Sequence, residues 1–126
     1  MEMLSHISFS VSDLKKSSDF YDAVLGAIGF KRVYSGTTAS GWGPNEDQEK
    51  FAVKKRVEKA SAPSPGFHLA FHAQDKNAVQ AFYDAALNHG GKDNGPPGPR
   101  PDYGSKYYAA FVIDPDGYEI EVKLSV

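Results

Sequence analysis

His6 and His68 stand 62 residues apart, and the same offset carries Phe9 onto Phe71, Asp13 onto Asp75, and Phe20-Tyr21-Asp22-Ala23 onto Phe82-Tyr83-Asp84-Ala85. A constant offset over a strand-like run, a helix-like run and the glycine that follows marks two copies of one supersecondary unit. If the copies pack about an approximate two-fold axis, equivalent side chains meet, and the two histidines point into one concave surface. Glu121 or Glu119, on the last strand-like run, can join them. Two neutral imidazoles and a carboxylate suit a divalent first-row metal and leave positions open for water or substrate. A lone histidine on a strand is more often a packed or surface residue. The matched register is what lifts this pair above that reading.

Other residues could assist. His72 lies two strand positions beyond His68 on the same face and can line the pocket. Tyr103, Tyr107, Tyr108 and Arg100 gather around the proline-rich stretch Gly95–Gly104. They can hold an anionic or aromatic substrate, a phenol also serving as proton donor near an oxyanion. Equally they can be interface residues, where Tyr and Arg are enriched. Trp42, the only tryptophan, is either a core plug or a pocket wall. His89, at a helix end, is better placed to offset the helix dipole than to do chemistry.

The elements that must position these residues follow from periodicity. Ile7, Phe9 and Val11 share one face of a strand, with His6, Ser8 and Ser10 opposite. Ser12-Asp13 supplies a helix N-cap, followed at helical spacing by Leu14, Ser17, Tyr21, Val24, Leu25 and Ile28. Phe30–Tyr34, Thr37–Trp42 and Phe51–Val57 read as three strands, the last Lys-rich and therefore placed at an edge or facing water. Residues 60–66, with Pro63 and Pro65, form a linker. The second half repeats the plan. Phe67, Leu69 and Phe71 oppose His68, Ala70 and His72, and Asp75 caps a helix whose buried stripe is Val79, Phe82, Tyr83, Ala86 and Leu87. The proline-rich stretch makes a stiff extended loop. Tyr107–Ile113 and Tyr118–Leu124 are strands joined by the turn Asp114-Pro115-Asp116-Gly117. Each half is thus strand, helix, then three strands, an α+β arrangement in one domain over residues 1–126, with modules of about 1–59 and 66–126.

Composition narrows the function. With 14 Lys+Arg against 16 Asp+Glu the net charge is -2, and no basic block gives nucleic acid a footing. The chain has no cysteine, which removes disulfides, thiolate metal sites and a cysteine nucleophile, and fits a reducing compartment. No apolar run approaches the ~18–20 residues that span a bilayer, and no leader-like segment opens the chain. A soluble protein of the cytoplasm is the expectation.

The runs Ser5-His6-Ile7-Ser8-Phe9-Ser10-Val11-Ser12-Asp13-Leu14, Ser18-Asp19-Phe20-Tyr21 leading to Leu25-Gly26, Gly66-Phe67-His68-Leu69-Ala70-Phe71, and Asp114-Pro115-Asp116-Gly117-Tyr118-Glu119-Ile120-Glu121 resemble the vicinal oxygen chelate superfamily. That group includes glyoxalase I, bleomycin-resistance and fosfomycin-resistance proteins and extradiol dioxygenases. The resemblance covers nearly the full length. It implies two βαβββ modules forming an incomplete barrel around a divalent metal (Fe, Mn, Ni or Zn) held by His6, His68 and Glu121. It picks Glu121 over Glu119, because the family's metal-binding carboxylate stands four residues after the glycine of this turn. It also implies a homodimer, in some members with sites that draw ligands from both chains. In glyoxalase I a fourth ligand, a glutamate, lies on the last strand of the first module, where this chain has Ala52 or an apolar neighbour. The implied ligand set resembles the three-ligand sites of the dioxygenase and fosfomycin branches. Two functions follow: a metalloenzyme that polarises vicinal oxygens of its substrate, with lyase, isomerase or dioxygenase chemistry, or a metal-free binding protein of the bleomycin-resistance type.

Overall fold

The computed structural model describes residues 2–125, and two four-residue capping patterns organise it. Asp13 accepts a hydrogen bond from Lys16 N at 3.0 Å and starts helix α1, Leu14–Ala27; Asp75 accepts from Ala78 N at 2.8 Å and starts helix α2, Lys76–Asn88. Each cap satisfies a backbone N–H that the first helical turn leaves unpaired. The repeat seen in the sequence is therefore also a repeat of local structure.

Around α1 run β1 (Ile7–Ser10), β2 (Lys31–Ser35), β3 (Ala39–Gly43) and β4 (Phe51–Lys54), in a sheet of order β1-β4-β3-β2. Around α2 run β5 (Leu69–Ala73), β6 (Lys92–Asp93), β7 (Gly98–Pro99), β8 (Tyr108–Ile113) and β9 (Glu119–Leu124), in the order β5-β9-β8-β6, with β7 also on β8. Each module is a βαβββ unit, the second carrying the extra short strand β7. The first strand pairs parallel with the last in both modules, Phe9 beside Val53 and Phe71 beside Val122. The two sheets are not closed into a barrel.

Each helix covers one face of its own sheet, and the helices also pack on each other. Phe20, Tyr21, Val24 and Leu25 from α1 and Val79, Phe82 and Ala86 from α2 lie in one continuous apolar cluster. Side chains from the sheets knit the modules together. Phe9 stacks on Tyr118 with centroids 4.1 Å apart, and Phe51 meets Phe71 edge-on at 5.6 Å. Polar links cross the same boundary, with Tyr118 Oη donating to Ser10 O at 2.8 Å and Tyr21 Oη to Asp114 Oδ2 at 2.6 Å. Asp114 is buried at the turn into β9 and also accepts from the backbone N–H groups of Asp116 and Tyr118. Burial pushes its carboxyl up to about 6, against the pull of these hydrogen bonds.

Three expectations are corrected. The run beginning at Phe51 is not an edge. β4 lies between β1 and β3, and Phe51, Ala52 and Val53 are buried; the lysines that suggested an edge begin only where the strand ends. Leu87 is 41% exposed, because the covered arc of α2 stops at Ala86 and half-buried Tyr83. The proline-rich stretch is not simply an extended loop: Gly98–Pro99 pairs with β8, Pro101–Tyr103 forms a short 3-10 helix, and Arg100 N donates to Tyr107 O at 2.8 Å.

Candidate functional site

Strand alternation decides what faces away from the helices. Tyr118, just before β9, and Ile120 and Val122 within it point into the core, so Glu119, Glu121 and Lys123 take the other face. Glu121 is flanked in register by Ala70 of β5 and Phe111 of β8. It is nevertheless only 2% exposed, because its neighbours cover it. A buried carboxylate needs partners for its charge, and Glu121 has two. Tyr107 Oη donates to Oε2 at 2.5 Å, and His68 Nε2 stands 3.2 Å from Oε1. Partial burial, and then the Glu121 carboxylate, push the Tyr107 phenol up to about 12. Tyr107 is therefore a committed donor at neutral pH, and the bond leaves Oε1 as the oxygen that faces His68.

The His68–Glu121 pair fits a metal. With bonds of about 2.0–2.2 Å to imidazole nitrogen and carboxylate oxygen, two atoms 3.2 Å apart subtend roughly 100° at a shared ion, an ordinary angle between neighbouring ligands. The pair opens on a cavity of about 560 Å³ walled by Phe67, Phe111, Tyr103 and Tyr107, with Asn94 and Glu119 also on its lining. Tyr103 is 65% exposed and sets its ring edge-on to Tyr107, centroids 5.2 Å apart. Asn94 Nδ2 lies 3.4 Å from Glu119 Oε1, a long hydrogen bond.

His6 is not part of this arrangement. It lines a second, apolar cleft of about 310 Å³ together with His72, Lys50 and the rings of Trp42, Phe51 and Phe71. Ser5 Oγ sits 2.9 Å from His6 Nδ1, leaving Nε2 without a partner among the described residues. Among the described residues no group of three or more His, Asp or Glu side chains lies close enough to hold one ion. Within one chain, then, His68 and Glu121 meet, while the expected convergence of His6 on them does not occur. The reason is packing: His6, just before β1, joins core-facing rings of both modules at one cleft, whereas His68 and Glu121 open on a cavity lined by the second module.

The remaining expected site residues are dispersed. His72 faces the cleft of His6, not that of His68. Tyr108, one residue beyond Tyr107, points to the opposite side of β8, packs against the core and lies under Lys76 Nζ at 4.9 Å from its centroid. Arg100 donates to Pro96 O at 2.6 Å and Pro99 O at 3.3 Å and covers the Phe111 ring, so it stitches its own loop. Trp42 is 1% exposed and donates from Nε1 to Asp22 Oδ1 at 2.9 Å, a core residue whose edge closes the second cleft. Three wall residues, Phe67, Phe111 and Asn94, were not anticipated, Phe67 having been expected on the face opposite His68. Phe111 was findable, since alternation along Tyr107–Ile113 puts it on the face of Tyr107. Asn94 carries no such signal.

The family model for the Glyoxalase/Bleomycin resistance protein/Dioxygenase superfamily matches residues 3–122. No curated protein sequence matches the chain. Among solved structures, a glyoxalase/bleomycin resistance protein from Albidiferax ferrireducens T118 is 30% identical with a TM-score of 0.85, covering 99% of this chain and 100% of that one. The fosfomycin resistance protein FosX from Mesorhizobium loti is 20% identical with a TM-score of 0.71, covering 100% of this chain and 94% of its own. A glyoxalase I mutant from Zea mays is 21% identical with a TM-score of 0.68, over 94% of this chain and 45% of the maize chain. The last two are likenesses of fold. With its sequence matched almost from end to end, the chain belongs to the glyoxalase/bleomycin resistance protein/dioxygenase superfamily.

Proposed function

We propose that the protein is a metal-dependent enzyme of this superfamily acting on a small molecule with neighbouring oxygen atoms, and that it works as a homodimer. Each site combines His68 and Glu121 of one protomer with His6 of a second copy. The observation that carries the reading is the buried Glu121 carboxylate, with one oxygen held by Tyr107 and the other turned to His68 Nε2 at 3.2 Å. A bound divalent ion would supply Lewis-acid polarisation of the substrate oxygens. Tyr107 keeps the Glu121 oxygen aimed, much as outer-shell partners orient metal ligands elsewhere. Phe67, Phe111 and Tyr103 offer flat walls to a planar substrate. His6 stands just before β1, an edge strand of the first sheet, with Nε2 free of partners among the described residues. The cysteine-free composition suits work in the cytoplasm.

The test is metal uptake by protein purified without chelators and titrated with Mn(II), Ni(II) and Zn(II). One ion per protomer is expected, abolished in both His68→Ala and Glu121→Ala. Uptake by His68→Ala equal to that of the parent would overturn the assignment. The competing reading, a metal-free binding protein, draws on the aromatic cavity and on the lack of a three-ligand group within one chain among the described residues. A parent protein that binds flat organic ligands while taking up no metal would favour it.

A further inference from the structure

The larger cavity carries negative charge on its walls and no fixed positive charge. Glu119 and Glu121 share one face of β9 and both line it, whereas among the described residues no lysine or arginine does. His68 is the one lining group able to become a cation, and it is turned to Glu121. Two cations beside the cavity's rings are tied elsewhere. Arg100 covers the Phe111 ring but donates to Pro96 O and Pro99 O. Lys123 Nζ lies 4.8 Å from the Tyr107 centroid and donates to Leu124 O at 3.2 Å. An anionic substrate, one of the expectations raised by Arg100, therefore finds no fixed cation on these walls.

An exposed glutamate on a strand is usually a solvated charge. Three features separate Glu119 from that reading. It lies on the wall of a cavity of about 560 Å³, and no ion pair among the described residues engages it. Asn94 Nδ2, at 3.4 Å, addresses only Oε1 and leaves Oε2 without a partner among the described residues. The other walls are the rings of Phe67, Phe111, Tyr103 and Tyr107. Ring faces attract organic cations, and apolar walls concentrate the field of carboxylates set among them. Alternate residues of a strand are roughly 7 Å apart, so a ligand with a single ring can reach Glu119 with one end while the other faces His68 and Glu121.

We propose that this cavity selects an aromatic amine in its protonated form, with Glu119 as the residue that reads the charge. The ammonium donates to Glu119, and the ring lies against Phe67, Phe111 and Tyr103. The proposal names the charge of the substrate and rests on the function proposed above for its part in a reaction. The binding step itself uses no metal.

The experiment is a calorimetric titration of the full chain, without added metal, with three probes of similar shape: 2-phenylethylamine, 2-phenylethanol and 3-phenylpropionate. The amine is expected to bind at least about tenfold more tightly than the alcohol, as a charge-assisted hydrogen bond allows, and the carboxylate more weakly than either. Glu119→Gln should bring the amine to the level of the alcohol and leave the alcohol within about twofold of its parent value, the size of a change that removes charge and keeps shape. Phe111→Leu should weaken amine and alcohol alike, which locates both in this cavity. Equal affinity for amine and carboxylate, or no binding of any probe, would overturn the proposal and leave the metal centre to its own uptake test. An amine preference that survives Glu119→Gln would also overturn it. Amine selectivity lost in Glu119→Gln, in a protein that takes up no metal, would sustain the proposal while the metal-dependent reading fails.

Discussion

The Tyr107 hydroxyl reaches Glu121 Oε2 at 2.5 Å, joining the residue just before β8 to the middle of β9 and fixing the orientation of a buried carboxylate. Removing that hydroxyl should loosen Glu121 without unfolding the protein. Tyr107→Phe is expected to weaken metal binding by about tenfold, in line with other outer-shell losses, and to cost about 1–3 kcal/mol of stability for the carboxylate oxygen left without its donor. Calorimetric titration and chemical denaturation measure the two. Because the phenol is raised to about 12 in the folded state, its contribution is full below about pH 10, the ordinary tyrosine range, and is lost as pH rises through 12. Ultraviolet titration should show this tyrosine ionising above the ordinary range, and earlier in Glu121→Gln.

Sharing of the site between protomers can be read by mixing variants. His6→Ala and His68→Ala should each fail to bind metal alone. Refolded together in equal amounts, half of the dimers are mixed and each mixed dimer keeps one intact site, so about a quarter of the parent's capacity should return. No recovery, with dimers forming normally, would place all the ligands within one chain.

Asp114 should leave a signature in the pH dependence of stability. Its carboxyl is raised to about 6 in the folded protein from an ordinary value of 3.8. The folded state therefore holds the proton more tightly than the unfolded chain. The stabilisation is full below about pH 4 and is lost as pH rises through 6. Relative to Asp114→Asn, the parent should gain on the order of 2–3 kcal/mol between pH 7.5 and pH 4. Urea unfolding midpoints across that range check it, and parallel curves for the two proteins would refute it.

Arg100 separates a structural role from substrate binding. Arg100→Ala removes two hydrogen bonds to loop carbonyls and the cover over Phe111. It should increase proteolytic cleavage in the 96–104 loop and lower stability by about 1–2 kcal/mol. Metal affinity should stay at the parent's value. A variant with an intact loop and weakened ligand binding would return Arg100 to the substrate.

Local order was written in local patterns. The 62-residue offset, the caps Asp13 and Asp75, and the alternation that turns His6 and Ser8 away from Ile7 and Phe9 all depend on neighbours in the chain, and the structure carries each of them. Alternation also put Glu121 opposite Ile120 and Val122. What alternation does not report is cover. That Glu121 is buried depends on Tyr107 and His68, which reach it from other strands. β4 misled for the same reason, since its interior place comes from parallel pairing with β1, more than forty residues away. Residue types and their periods thus determined the modules, the candidate ligands and the faces that carry them. Only the tertiary structure decided that His68 and Glu121 share a cavity while His6 opens on another, because the way two sheets lean on packed helices is settled by contacts distant in sequence that leave no periodic mark.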